Sequence, residues 1–259
     1  MNSHLYIITG ASRGMGLAMA EQLLEPGNFL LCISRQTHPG LANAGLAADV
    51  SVEQWPMNLD HTVEAAAMLS QWLASRKPGA FQSATLINNA AMLPRIVPLS
   101  ESSSSELAQA LRVGLEAPMQ LTAAFLKGTE DWQTLTAQPV TRKVLNISSG
   151  NGRRPMASQA IYSATKAGMD HFTRCLALEE ALKSNGAKVC SLAPGVIDTS
   201  MQTHLRQSDA ASFPDHSRFV DMKTQGQLST PADAAKRMLA YLGHPNFGDN
   251  PVADIRDAP

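Results

Sequence analysis

Leu5-Tyr6-Ile7-Ile8-Thr9-Gly10-Ala11-Ser12-Arg13-Gly14-Met15-Gly16 decides how the rest of the chain is read. It begins as a short apolar, β-rich run and passes through three glycines. Leu17, Ala20, Leu23 and Leu24 then recur at helical spacing. The order is strand, glycine turn, helix. Such glycines let backbone N–H groups approach a pyrophosphate, and the positive end of the helix attracts its charge. The spacing Gly-x-x-x-Gly-x-Gly is a variant of the dinucleotide-binding fingerprint. A purely structural strand-to-helix turn is the alternative, and it rarely needs three glycines.

Working outward, Phe29 to Ile33 reads as a second strand that ends in Ser34 and Arg35. A site built for NAD usually places an acidic residue there for the ribose hydroxyls. Arg35 and Arg13 suit a 2′-phosphate instead, and neither has an acidic neighbour in sequence. Two solvated arginines are the plain alternative. Residues 36–50 read as a loop with a short helix, Val52 to Met57 as a third strand, and Ala65 to Leu73 as a helix. Ala84 to Ile87 forms a buried strand running into Asn88-Asn89-Ala90-Ala91. Small residues there suit packing against an adenosine, and the paired amides can tie strand ends together; an ordinary Asx turn is the alternative. Ser102 to Ser105 reads as the approach to a helix N-terminus. Leu107 to Leu126 is a long amphipathic helix interrupted by Gly114 and Pro118.

The next strand carries Val144, Leu145 and Ile147 and ends at Ser148 and Ser149. Gly150, Gly152 and Pro155 break the chain into a loop. From Ala160 the apolar spacing turns helical, so Tyr162 and Lys166, four apart, share one helix face. A phenol titrates near pH ~10, and an ammonium on the next turn is expected to lower that value. The phenol then gives a proton to a carbonyl oxygen, or takes one from an alcohol. A serine hydroxyl at the strand end can hold the same oxygen. A surface Tyr and Lys on an amphipathic helix is the bland alternative, which the other motifs outweigh.

Lys188 to Leu192 is a further strand leading into Ala193-Pro194-Gly195 and on to Thr199. A turn at that end of a strand faces the ligand crevice of a doubly wound sheet; a plain structural turn is the alternative. Residues 200–228 are polar and show little periodicity, so a substrate lid over about 196–228 is expected, or else disorder. Pro231 to Leu242 reads as a helix with Thr230 as its N-cap, and Val252 to Ile255 as a last short strand.

The 259 residues fit one large α/β domain spanning 1–259, and the net charge of −1 gives no footprint for nucleic acid. No apolar run has membrane-spanning length and no signal segment is expected at the N-terminus. Cys32, Cys175 and Cys190 lie in apolar contexts and read as reduced core residues of a cytoplasmic protein. No Cys/His cluster has metal-ligand spacing, so no metal is expected.

Four motifs now stand in order: the glycine turn after Thr9, Asn88-Asn89-Ala90, Ser149 with Tyr162-x-x-x-Lys166, and Pro194-Gly195 with Thr199. Together they resemble the short-chain dehydrogenase/reductase family across nearly the whole chain. Leu176 to Glu180, Ala193 to Gln202 and Val252 to Asp257 look most like its sepiapterin reductase and benzil reductase members. The resemblance implies a single doubly wound Rossmann fold with a mainly parallel seven-stranded sheet. It implies that Tyr162 donates the proton, Lys166 lowers its pKa and holds the nicotinamide ribose, and Ser149 orients the carbonyl. NADP(H) would be held by Gly10, Ser12, Arg13, Gly14, Met15 and Gly16, with Ser34 and Arg35 at the 2′-phosphate. Asn58, Leu59, Asn89 and Ala90 would lie on the adenosine side. Pro194, Gly195, Val196 and Thr199 would lie at the nicotinamide end, together with Tyr162 and Lys166. Ser149, Gly195, Met201 and Asp254 would meet the substrate. In sepiapterin reductases an aspartate near the C-terminus anchors the pterin amino group, and Asp254 fits that position better than Asp257. Pairing of Asp254 with Arg256 or Arg237, or plain solvation, is the alternative. A homodimer or homotetramer is implied through the two long helices.

Two positions depart from the family pattern. Gly114 stands where the family usually has an asparagine whose neighbourhood holds a relay water, and Asn58 stands where an aspartate near the adenine is usual. The function expected is NADPH-dependent reduction of a ketone or diketone. A non-catalytic NADP-sensing protein on the same fold is the competing reading, and the intact Ser149, Tyr162 and Lys166 argue against it.

Overall fold

Seven strands lie side by side in a computed structural model that describes residues 4–76 and 79–257. They are β1 His4–Thr9, β2 Asn28–Ser34, β3 Ser51–Pro56, β4 Ser83–Asn88, β5 Thr141–Ile147, β6 Lys188–Ala193 and β7 Val252–Asp254. Their order is β3-β2-β1-β4-β5-β6-β7, and every pairing is parallel. Continuous apolar runs rather than alternating ones mark strands covered on both faces. β2 is buried along its whole length, whereas β3, at the sheet edge, is half covered.

Between the strands run α1 Gly14–Gln22, α2 Pro39–Ala47, α3 Thr62–Ala74, α4 Ser104–Leu111, α5 Ala117–Thr129, α6 Ala160–Ala181, α7 Ser200–Arg206, α8 His216–Thr224 and α9 Pro231–Gly243. One core joins side chains of α3, α5 and α6 to one sheet face, among them Leu69, Leu121, Phe125 and Leu176. A second joins α1, α2 and α9 to the other face through Met19, Leu41 and Met238. The chain leaves β1 towards β3 and returns to place β4 beside β1. At that reversal the connections diverge, leaving a crevice at the C-terminal ends of the strands. This is the expected doubly wound Rossmann architecture.

The stretch from Leu107 to Leu126 is the expected long helix, and its interruption is a π-helical turn. α4 begins at Ser103, whose hydroxyl accepts from the Glu106 N–H at 3.2 Å, and α5 follows after a wide π-helical turn over Arg112–Glu116. Pro118 lies in the first turn of α5 and has no N–H to offer the Gly114 carbonyl four residues back. The loosening therefore falls at the two residues that marked it in the sequence.

Two sequence expectations need correction. Residues 200–228 are not irregular, for they contain α7 and α8. Leu205, Phe213 and Phe219 bury themselves with Ile96 in a small separate core, a contact across more than a hundred residues that local periodicity does not register. Cys175 is exposed, while Cys32 and Cys190 are buried. Its apolar sequence neighbours point to other faces of α6, so sequence context overstated its burial.

Candidate active site

The crevice is a cleft of about 1080 Å³ over the C-terminal ends of the strands. Every residue expected to bind cofactor or substrate lines it, from Gly10 on one side to Asp254 on the other.

The glycine turn owes its shape to close approach. Gly10 and Gly14 have φ of +69° and +57°, where side chains are disfavoured. A Cβ on Gly16 would sit 2.2 Å from the Gly10 carbonyl oxygen and 2.4 Å from Asn89 Nδ2. Asn89 in turn donates from Nδ2 to the Thr9 carbonyl at 2.9 Å and to the Gly10 carbonyl at 3.2 Å. Thr9 Oγ1 accepts from the N–H groups of Asn89 and Ala90, both at 2.9 Å. Asn89 does tie the ends of β1 and β4 together, whereas the Asn88 amide donates to Asn146 Oδ1 on β5 at 2.8 Å. The turn is thus pinned to β4, and the Gly10 N–H donates to the Ile33 carbonyl at 2.7 Å, while the start of α1 lines the cleft. A pyrophosphate fits that cradle.

Arg13 and Arg35 are both exposed at the cleft wall, and neither side chain has a hydrogen bond or ion pair among the described residues. Two guanidinium groups without protein partners suit a ligand phosphate. Asn58 is exposed, and its side chain caps the local turn by accepting from the Asp60 N–H at 3.2 Å. Leu59 is buried beside it.

Ser149 follows β5 and starts the 3₁₀ turn Gly150–Gly152, where its hydroxyl accepts from the Asn151 N–H at 3.2 Å. Tyr162 and Lys166 project from the first turns of α6 into the same cleft. Burial raises the pKa of the Tyr162 phenol, and the nearby Ser149 hydroxyl works the other way without offsetting it. The expected lowering by Lys166 is absent. The ammonium instead donates to the Ile147 carbonyl at 2.7 Å and stands 5.7 Å from the centre of the phenol ring. Burial brings Lys166, only 3% exposed, down to about 8, with the charge of Asp170 acting the other way.

Asp170 is a site residue that the sequence reading did not single out. It lies one helical turn beyond Lys166, so the same four-residue spacing was there to find it. It is buried and accepts from the Ser148 hydroxyl at 2.6 Å, the Ser191 hydroxyl at 2.7 Å and Arg153 Nε at 3.0 Å. Arg153 also donates to the Ala253 carbonyl at 2.8 Å. The turn that starts at Ser149 is thereby fastened to β6, α6 and β7 at once. The turn also packs closely, since a Cβ on Gly152 would meet the Lys166 carbonyl oxygen at 2.9 Å.

Gly114 is buried against Thr165, whose side chain would lie 3.2 Å from an added Cβ. Thr165 Oγ1 donates to the Tyr162 carbonyl at 2.8 Å. An asparagine there would need the Thr165 side chain to give by a few tenths of an ångström. Asp254 lines the far end of the cleft, yet its carboxylate is held by Arg256, through Nε at 2.8 Å and Nη2 at 2.5 Å. Arg237 instead donates to the Ser229 hydroxyl at 2.6 Å. Among the described residues, no group of three or more His, Cys, Asp or Glu side chains is placed to hold a metal, and no helix is long and apolar enough to cross a membrane.

Residues 4–210 match the sequence model of the short chain dehydrogenases. A benzil reductase ((S)-benzoin forming) of Bacillus cereus is 33% identical over 96% of this chain and 98% of its own. A sepiapterin reductase of Xenopus tropicalis is 31% identical over 93% of this chain and 92% of its own. Among solved structures, a short-chain dehydrogenase/reductase from Burkholderia vietnamiensis superposes with a TM-score of 0.63 at 29% identity, covering 98% of this chain and 99% of that one.

Proposed function

The chain belongs to the short-chain dehydrogenase family, and from that premise we propose that it is an NADPH-dependent reductase of ketones or diketones, acting in the cytoplasm. The observation that carries this reading is the meeting of Ser149, Tyr162 and Lys166 in the same cleft as the rigid glycine turn. Gly10, Ser12, Gly14, Met15 and Gly16 would hold the pyrophosphate, and Arg13, Ser34 and Arg35 the 2′-phosphate. Asn58, Leu59, Asn89 and Ala90 would flank the adenosine, and Pro194, Gly195, Val196 and Thr199 the nicotinamide amide.

When bound, NADPH supplies the hydride. The chain's own residues do the rest. Ser149 holds the carbonyl oxygen through its hydroxyl. Tyr162 gives that oxygen its proton, and the raised phenol keeps the proton until the oxygen becomes basic enough to take it. Lys166, near 8, is able to exchange a proton with its surroundings close to neutral pH and so to restore the phenol. Met201 and Gly195 would border the substrate opposite Ser149.

Exposed apolar side chains along the long helices, Met119 on α5, Leu178 on α6 and Leu182 at the C-cap of α6, suit a homodimer or homotetramer interface.

The test is to follow NADPH absorbance with a panel of dicarbonyls that includes benzil. Tyr162→Phe should keep NADPH affinity and lose about 10²–10⁴-fold in turnover, the usual range for general acid catalysis. Near-normal turnover by Tyr162→Phe would sink the mechanism. Tight NADPH binding with no turnover of any carbonyl would favour the non-catalytic sensor.

A further inference from the structure

Among the described residues, only two acidic side chains, Asp215 and Asp254, line the cleft, and both are already paired. Asp215 has Arg218 at 3.8 Å. Asp254, 8% exposed, is bound far more completely. Its Oδ1 accepts from Arg256 Nε at 2.8 Å and from the Arg256 backbone N–H at 3.0 Å. Its Oδ2 accepts from Arg256 Nη2 at 2.5 Å, and Arg153 Nη1 stands 3.9 Å from the same oxygen. A carboxylate offers about four acceptor positions in two forks. Here a guanidinium occupies the outer fork in the parallel, two-bond geometry that Arg and carboxylate prefer.

The pair has an asymmetry that matters for recognition. Asp254 is sunk in the cleft wall, whereas the Arg256 side chain is 54% exposed. The guanidinium fills, from within the chain, the place where a ligand's own amidine or guanidine edge would bind. Without Arg256 the cleft would present a buried carboxylate with strong demand for two N–H donors. With Arg256 that demand is already met. Of the other cleft arginines, Arg13 and Arg35 are the ones proposed to face the cofactor phosphates, and Arg154 has no protein anion among the described residues, so the cleft keeps no unpaired carboxylate to attract a cationic ligand.

We propose that Arg256 is a specificity-determining residue, which withholds Asp254 from the substrate and so restricts this cleft to carbonyl compounds without an amidine- or guanidine-like edge. The proposal rests on the reading of the cleft as a carbonyl substrate site. Its test is therefore a binding measurement that needs no turnover.

The probe is benzamidine, titrated by calorimetry into the NADPH-saturated protein, with benzamide as the uncharged control. The unmodified protein should bind benzamidine no better than benzamide. Arg256→Gln should bind benzamidine at least about tenfold more tightly, since a two-bond charged pair is worth well over a tenfold step, and benzamide should be unaffected. The double variant Arg256→Gln with Asp254→Asn should return to the unmodified affinity. A folded Arg256→Gln that gains no affinity for benzamidine overturns the proposal, as does a gain that survives Asp254→Asn. Should Arg256→Gln not fold, Asp254→Asn alone decides. An unchanged benzamidine affinity supports the proposal, and a tenfold loss overturns it, because the carboxylate would then have been open to ligands all along. Loss of NADPH turnover with every dicarbonyl would instead strike the enzymatic reading and leave this measurement intact.

Discussion

Lys166 makes the sharpest quantitative demand on the structure. It is 3% exposed, and burial brings its pKa from an ordinary 10.5 to about 8. A tenfold change in a protonation equilibrium is worth roughly 1.4 kcal/mol, so the difference corresponds to about 3 kcal/mol. The sign follows from proton counting. Between pH 8 and 10.5 the unfolded chain keeps the lysine proton and the folded chain releases it. Raising pH through that window therefore favours the folded state, and the burial penalty, complete below pH 8, is relieved by pH 10.5.

Other groups push the opposite way. Burial raises Cys32 to about 12 and Cys190 to about 11, so both subtract stability above pH 9. The bare stability curve mixes these effects, and the comparison with Lys166→Met isolates the lysine. Urea unfolding of both proteins at closely spaced pH values should show the unmodified protein gaining on the variant between pH 8 and 10.5, by up to about 3 kcal/mol. The constant offset between the curves carries no information, because the variant also loses the bond to the Ile147 carbonyl. Parallel curves across the window would refute the placement of Lys166 as a desolvated ammonium.

Gly16→Ala should destabilise the protein by about 2–5 kcal/mol in urea unfolding, from overpacking plus loss of the Asn89 bonds to Thr9 and Gly10. Gly150→Ala, whose Cβ meets nothing within 4 Å, should stay within about 1 kcal/mol of the unmodified protein; equal effects would remove the close-approach argument. Arg35→Asp should lower the NADPH over NADH preference in kcat/KM by at least about tenfold through repulsion of the 2′-phosphate, and an unchanged ratio would leave Arg35 a solvated side chain. Gly114→Asn should cost stability because its Cβ would crowd the Thr165 side chain at 3.2 Å, and Gly114→Asn with Thr165→Ser, which removes the Thr165 methyl, should recover part of it; a harmless single variant would show that Thr165 yields freely.

The sequence was most legible where backbone chemistry leaves residue signatures. Glycines in the left-handed region at Gly10 and Gly14, uninterrupted apolar runs for covered strands, and Thr230 accepting from the Asp233 N–H at 3.0 Å to cap α9 are all local rules. It was least legible where a contact spans the chain. Phe213 against Ile96 gives order to α7 and α8, and no window of neighbouring residues contains both. Cys175 failed for the reverse reason, because its neighbours in sequence are not its neighbours in space.

Asp170 belongs between these extremes and bears on how the site holds its shape. Its spacing from Lys166 was visible, but its partners Ser148, Ser191 and Arg153 come from two strand ends and the turn after Ser149. A buried carboxylate survives only with such a complement of donors. Three donors from three segments make Asp170 the point at which β5, β6 and the Ser149 turn are fixed relative to α6. The same α6 carries Tyr162 and Lys166. The roles proposed for Ser149 and Tyr162 depend on the distance between their two hydroxyls, and that distance is set by a group that touches neither. Through Arg153 and its bond to the Ala253 carbonyl, that anchor also reaches β7, where Asp254 and Arg256 form the far wall of the cleft. On the function and specificity proposed above, catalytic geometry and substrate selection rest on one connected set of charges, and a change at Arg153 should disturb both together.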